Sequence, residues 1–377
     1  MSYTIEKKTC AAYGPRAPRS TILPSDRLVQ VYNKYKSTVP PQPGQVQLSF
    51  VFSHGTGMNK SVWHYHIDQL FQKSQRPNSG YYIDVCVSVD AVSHGDSALA
   101  NEGKIGPVYW WDESGRDLLA VIRHENEVGD LVSAPDRRII TVGHSLGGNA
   151  AFMAGFFDPN VVDCAVTVDA VLYTEPSMRP RFTKIFKKIA GLLIDRFDTE
   201  DEVKLFYDMS FYNTMDKRVL NDFVADEIVT VVDDDEEVSY RTKASKFAQM
   251  ATYLGSAYSL NLTMHAIQSY RTSVCHVTGN QATWNPPQSK PWVRSNLPEG
   301  KLVKTADIDG THLVHGDNPD GMVQVLVELA QDRTKVAQTN IDQLKSQGSD
   351  RAKLLEVSEE KLYAADLVEV AAATAKL

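Results

Sequence analysis

The sequence predicts an α/β fold, with a mostly parallel central sheet flanked by helices and a helical cap inserted late in the chain. Three observations carry this. Up to Tyr173, apolar runs of strand length alternate with amphipathic runs of helix length, the pattern of a parallel sheet covered on both faces. The run Arg138-Ile139-Ile140-Thr141-Val142 turns at Gly143-His144-Ser145-Leu146-Gly147 directly into a helical stretch. Polar, glycine-containing turns follow other strand-like runs, at the strand ends where open α/β sheets bind ligands.

In chain order, residues 1–47 hold short strand candidates, among them Leu28 to Tyr35, interrupted by Gly14-Pro15, Pro18 and Pro40-Pro41. These are expected at the sheet edge. A strand at 46–52, a helix from Ser61 to Gln75, a strand at 81–90 and a helix from Trp110 to Asn126 follow. The strand at 138–142, the helix opened by Gly148-Asn149-Ala150 and the strand from Asp163 to Val168 complete this half. Beyond it, residues 174–270 read as several helices without a clear strand. Phe182, Ile185, Phe186, Ile189, Leu192 and Leu193 recur at helical spacing, with Lys184, Lys187 and Lys188 on the opposite side. A further helix is expected from Tyr240 to Tyr258. Asp233-Asp234-Asp235-Glu236-Glu237 is a run of like charge, expected to be a solvated loop. Strand character returns at Thr272 to Thr278 and at Lys301 to Lys304. The expected organisation is a core of residues 1–173 and 271–350, a helical cap or lid over 174–270, and a C-terminal helix and tail over 351–377.

The chemistry starts at Ser145. A strand that turns sharply into a helix at a serine lifts the hydroxyl clear of the sheet and aims the first helical N–H groups at whatever it attacks. The flanking glycines suit that turn because a β-carbon at either position would meet the neighbouring elements. A serine hydroxyl needs a base, and the base an orienting group. His312, in Gly310-Thr311-His312-Leu313-Val314 after the last strand candidate, is the expected base, with His315 its rival. Its place suits the chain order serine, acid, histidine. The acid is expected after the strand that follows the cap, but Gly279-Asn280-Gln281-Ala282-Thr283-Trp284-Asn285-Pro286 holds no carboxylate. Asp169, at the end of the strand after the elbow helix, is the expected substitute, with Glu175 and Asp309 as alternatives. The backbone N–H groups of Leu146 and of Thr56, in His54-Gly55-Thr56-Gly57, are the expected oxyanion donors.

Composition limits the other readings. The chain has 377 residues, is 42% hydrophobic and carries a formal net charge of −8. That length supports a large core, and no basic stripe suits a nucleic acid partner. No apolar run is long enough to span a bilayer, and the first residues lack the apolar stretch of a secretory signal. Of four cysteines, Cys86, Cys164 and Cys275 lie in strand-like runs and Cys10 near the start, as expected of reduced, buried thiols. There is no zinc-ligand spacing. Neither a metal nor a cofactor is expected.

His54-Gly55-Thr56-Gly57-Met58, Ser93-His94-Gly95-Asp96-Ser97-Ala98, Gly143-His144-Ser145-Leu146-Gly147-Gly148, Trp284-Asn285-Pro286-Pro287-Gln288 and Thr311-His312-Leu313-Val314 together make most of residues 20–335 resemble a serine α/β-hydrolase. More narrowly, the chain resembles the fungal peroxisomal lipases. The resemblance implies hydrolysis of carboxylic or lipid esters, with Ser145 as nucleophile and His312 as base. The lack of an acid after the cap is shared with that family, which favours Asp169. Epoxide hydrolases and dehalogenases of this fold use an aspartate nucleophile, which Ser145 argues against. Ala375-Lys376-Leu377 resembles the Ser-Lys-Leu peroxisomal address, a signal read by an import receptor. The expected partners are therefore a small acyl-ester or lipid substrate and that receptor. Three other readings stay open: an acyl-CoA thioesterase, with Arg179, Arg181, Lys184, Lys187 and Lys188 gripping phosphates, a peroxisomal hydrolase dedicated to one step of a specialised pathway, and a non-catalytic binding protein on the same fold.

Overall fold

The computed structural model describes residues 2–175, 179–347 and 351–364. The terminal Ala375-Lys376-Leu377 lies outside the described residues, as do the side chains of Arg179 and Arg181. In chain order the strands are β1 (Tyr3–Ala11), β2 (Val29–Ser37), β3 (Gln47–Ser53), β4 (Tyr82–Val89), β5 (Arg137–His144), β6 (Val162–Val168), β7 (Arg196–Phe197), β8 (Ile228–Val232), β9 (Val238–Thr242), β10 (Ser273–Gly279) and β11 (Leu302–Ile308). The helices are α1 (His64–Ser74), α2 (Gly95–Ala100), α3 (Trp111–Glu127), α4 (Leu146–Phe157), α5 (Arg179–Leu192), α6 (Glu200–Met209), α7 (Lys217–Ala225), α8 (Lys246–Ala266), α9 (Ser289–Asn296), α10 (Val314–Asp317), α11 (Pro319–Gln347) and α12 (Arg351–Ala364).

The main sheet has eight strands in the order β1-β2-β4-β3-β5-β6-β10-β11. β1 pairs antiparallel with β2 and β2 antiparallel with β4, whereas every pair from β4 to β11 is parallel. The central strands read as apolar runs because both faces are covered. Leu48, Phe50, Val51, Phe52, Ile139, Ile140, Val142 and Val166 are fully buried. Each such side chain contributes about 1.5–3 kcal/mol on leaving water. Val62, Trp63, Ile67, Leu70 and Phe71 cover one face together with Met322, Leu326 and Leu329 of α11. Leu118, Leu119, Val121 and Ile122 of α3 cover the other with Ala150 and Ala154 of α4. All four cysteines are buried, with free thiols.

The stretch expected to be helical alone, 174–270, also contains a three-stranded sheet in the order β7-β9-β8. Ile228-Val229-Thr230-Val231-Val232 is β-branched throughout, which suits a pleated strand better than a helix. The acidic run is the ordered turn of the β8–β9 hairpin. Asp233 Oδ1 accepts the N–H groups of Asp235 (3.0 Å) and Glu237 (2.9 Å). That hairpin draws Tyr240 into β9, paired with Thr230, so the last helix of the segment starts at Lys246 rather than Tyr240. Ser245 caps it, its Oγ accepting the Ala248 N–H at 3.2 Å.

Candidate active site

Strand register brings the candidate residues to one edge. His144 pairs with Val168 across β5 and β6, so the next residues, Ser145 and Asp169, leave adjacent strands side by side. Ser145 alone makes the turn from β5 into α4, at φ 52° and ψ −112°. This is sparsely populated backbone that costs about 1–3 kcal/mol and persists only where its surroundings enforce it. Here they do. A β-carbon on Gly143 would overlap the Gly147 carbonyl, and one on Gly147 would overlap the Ser53 carbonyl. The Ser145 N–H donates to Val168 O at 3.1 Å. Asp169 is strained too, at φ 39°, and its N–H donates to Val277 O of β10 at 2.8 Å.

His312 reaches the pair from the far side. It follows β11, whose Ile308 pairs with Gly279 of β10, and its ring extends back across the end of β10. Nε2 lies 3.1 Å from Ser145 Oγ and Nδ1 lies 2.9 Å from Asp169 Oδ2. With Nδ1–H donated to the carboxylate, the lone pair of Nε2 faces the hydroxyl. Ser145 is 8% exposed and Asp169 3%, so both lie out of bulk water. Both ring nitrogens of His312 are thereby committed to Ser145 and Asp169. The rival histidine, His315, is fully buried against Trp63 and His144. Asp309 accepts instead from Gln281 Nε2 at 2.8 Å.

A further set of residues holds these three. His144 Nε2–H donates to the His312 carbonyl at 2.8 Å, and burial keeps the His144 ring neutral by lowering its pKa well below the usual value. The Thr311 N–H and hydroxyl both donate to Asp317 Oδ2. Asn285 Nδ2 lies 3.3 Å from Asp169 Oδ1 and 3.2 Å from its carbonyl. The loop after β10 thus supplies an amide to the candidate acid in place of a carboxylate. The indole of Trp284, next in sequence, lies nearly parallel to the His312 ring at 5.4 Å. The role of Asn285 was not read from sequence. Its signal is a polar residue in the loop where a carboxylate is expected.

Thr56 and Leu146 border the same space. Leu146 is the first residue of α4, where an N–H has no intrahelical acceptor. The turn carrying Thr56 abuts the serine, since a β-carbon on Gly55 would lie 3.4 Å from Ser145 Cβ. His54 pins that turn. Its Nδ1–H donates to Gly55 O at 2.8 Å, and its Nε2 accepts the Ala91 N–H at 3.1 Å. Burial lowers the His54 pKa, which keeps Nε2 an acceptor. Among the described residues no group of three or more His, Cys, Asp or Glu side chains is arranged to hold a metal ion, and no helix is long and apolar enough to cross a membrane.

An eight-stranded sheet with a serine at the strand-to-helix turn after β5, beside a histidine from the loop after β11, defines an α/β-hydrolase. The sequence profile of the alpha/beta hydrolase family matches residues 50–325, and the chain belongs to that family. It is 29% identical over 334 residues to the peroxisomal membrane protein Lpx1 of Saccharomyces cerevisiae, covering 85% of this chain and 84% of the yeast protein. The structure of the peroxisomal alpha-beta-hydrolase Lpx1 from the same yeast overlays with a TM-score of 0.78, over 88% of this chain and 90% of that one, at 26% identity. A type I acyl-CoA thioesterase, mpaH of Penicillium brevicompactum, is 26% identical over 160 residues, 42% of this chain and 34% of that protein. The chain therefore spans about a third of the thioesterase's length.

Proposed function

We propose that this chain is a serine hydrolase that cleaves carboxylic esters, of lipids or other acyl groups, through an acyl-enzyme. Ser145 Oγ attacks the ester carbonyl carbon while His312 Nε2 takes its proton. The N–H groups of Thr56 and Leu146 stabilise the resulting oxyanion. The tetrahedral species collapses, and His312 returns the proton to the departing alkoxide. Water, deprotonated by the same imidazole, then releases the acid and restores Ser145. Asp169 keeps the hydrogen on Nδ1 throughout and offsets the charge of the imidazolium. The observation that carries this reading is the unbroken sequence Asp169 Oδ2 to His312 Nδ1 (2.9 Å) and His312 Nε2 to Ser145 Oγ (3.1 Å).

A fluorophosphonate probe tests it, because labelling requires an activated hydroxyl. Wild type labels at Ser145 and turns over a chromogenic acyl ester, and Ser145→Ala does neither; an unlabelled wild type would leave a binding protein on a hydrolase fold. A thioesterase is the second reading, favoured by the likeness to mpaH and by the exposed Lys184, Lys187 and Lys188 of α5. Measuring kcat/KM for an acyl-CoA beside an ester of equal chain length, at two salt concentrations, separates the two. A preference for CoA that weakens in salt selects the thioesterase.

The proposed location is the peroxisome, supported by the terminal Ala375-Lys376-Leu377 and by the likeness to a yeast protein of that organelle. Deleting these three residues is expected to leave ester turnover unchanged and the protein in the cytosol. Undiminished import of the truncated chain would remove the tripeptide as the address.

A further inference from the structure

Three successive peptide planes around Thr56 are each pinned by a hydrogen bond, and two of the bonds lead into the segment inserted between β6 and β10. The Gly55–Thr56 plane is held through Gly55 O by His54 Nδ1, at 2.8 Å. The Thr56–Gly57 plane is held through the Gly57 N–H, which donates to His94 Nε2 at 3.0 Å. The next plane is held through Gly57 O, which accepts from the hydroxyl of Tyr212 at 2.6 Å. Because a peptide unit is planar, fixing one of its polar groups fixes the other.

The last two bonds belong to one construction. His94 Nε2 accepts, so its hydrogen lies on Nδ1, 2.9 Å from Ser93 Oγ. Ser93 Oγ lies 3.1 Å from Thr252 Oγ1 on α8, and Thr252 donates to Ala248 O at 2.9 Å. The donors run in one direction: Gly57, His94, Ser93, Thr252. Ser93, His94 and Thr252 are fully buried and Tyr212 is 5% exposed. Tyr212 and Thr252 lie in different helical turns of the insertion, and both terminate on Gly57. That residue has φ 82°, and a β-carbon on it would lie 2.6 Å from the Tyr212 hydroxyl. Among the described residues the Thr56 N–H has no acceptor, which leaves it free to face the reacting carbonyl.

We propose that this two-sided clamp on Gly57, relayed by the Met58 N–H of the third plane, which donates back to Gly55 O at 3.2 Å, sets the Gly55–Thr56 plane and with it the direction of the Thr56 N–H, which makes Tyr212 a positioning residue for oxyanion stabilisation. The insertion is then a working part of the site, and its seat on the core decides whether the oxyanion donor is aimed. The proposal rests on the serine-hydrolase reading above. It is independent of which ester is the substrate.

The test compares wild type with Tyr212→Phe, which keeps the ring and removes the donor, and with Thr252→Val, which breaks the other arm. The measurements are kcat and KM on one acyl ester, the Ki of a trifluoromethyl ketone carrying the same acyl chain, and the Ki of the corresponding unreactive ether. The ketone takes up Ser145 Oγ at its carbonyl carbon, and its oxygen becomes the oxyanion. Deleting an oxyanion donor outright costs about 10²–10³ in rate, so misaiming one is expected to lower kcat by roughly 10-fold in Tyr212→Phe and by less in Thr252→Val. KM and ether binding stay within about twofold, while ketone affinity falls in step with kcat/KM. If both variants keep kcat and ketone affinity within about twofold of wild type, the clamp is overturned; so too if ether and ketone weaken equally. A wild type that neither labels with fluorophosphonate nor binds the ketone overturns the hydrolase reading and the clamp together. A labelled wild type with unaffected variants overturns the clamp alone.

Discussion

His312 can accept a proton at Nε2 only while its hydrogen stays on Nδ1, and that tautomer is chosen by a single bond to Asp169. Asp169→Asn tests this. The amide can present a donor to Nδ1, which turns the ring to the wrong tautomer and points Nε2–H at the serine hydroxyl. A loss of about 10³–10⁴ in kcat is expected, with the far-ultraviolet circular dichroism of wild type; this is the size of effect the same exchange has in serine proteases. Activity within tenfold of wild type would move the acid role to another carboxylate. The histidines around the site show why residue type alone does not assign a role. His54, His144 and His315 are as near in sequence to the motifs as His312, yet each is buried, with its pKa lowered by that burial. His54 uses both nitrogens, and His144 its Nε2, on backbone groups. His312 alone among them reaches a carboxylate and a hydroxyl at once.

At the scale of elements, the inserted segment is bound to the core through charge as well as packing. Lys60, fully buried just ahead of α1, has Asp90, Asp96 and Asp226 within 2.9 Å of Nζ, and Lys243 of the insertion also meets Asp96 and Asp226. Taking one ammonium out of water costs several kcal/mol, which several close carboxylates offset. Against burial, these lysines hold the Asp96 and Asp226 carboxyls low, so their contribution is present at neutral pH and is lost only in acid. Glu227, beside Asp226, behaves oppositely. It is buried, and although Asn59 Nδ2 (2.9 Å) and the Ala244 N–H (3.2 Å) both donate to it, burial dominates and pushes it up to about 8. Between roughly pH 4.5, the unfolded value, and pH 8, the folded chain holds a proton that the unfolded chain has lost. Glu227 therefore favours folding less and less as pH rises through that window, and the effect levels off above it. Glu227→Gln removes the dependence. The difference in Tm, variant minus wild type, is expected to grow by on the order of a few degrees from pH 5 to pH 8.5. A difference that stays flat across the window would mean that Glu227 is ionised in the fold.

For the molecule as a whole, the sheet, the elbow and the chain order of the candidate residues Ser145, Asp169 and His312 follow from local pattern. Apolar runs such as Phe50-Val51-Phe52 and Ile139-Ile140 read as strands buried on both faces, and Gly143 and Gly147 read as a tight turn because no other residue fits. The β8–β9 hairpin is equally local, but the five β-branched residues Ile228 to Val232 stand beside an acidic run whose composition is that of an open loop. What no local pattern contains is which distant groups meet. Asn285 lies 116 residues from Asp169 in sequence, and Tyr212 lies 155 residues from Gly57. Periodicity records which face of an element is apolar and says nothing of the partner on its polar side. By itself, then, the sequence determined the architecture, the turn at Ser145 and the residue types able to serve as base and acid, because each depends on backbone sterics and burial within a short window. That His312 and not His315 lies against both Ser145 and Asp169, that an amide lies beside Asp169 and that two bonds meet on Gly57 is visible only in tertiary structure, because hydrogen bonds of about 3 Å depend on strand register and on the seat of an inserted segment.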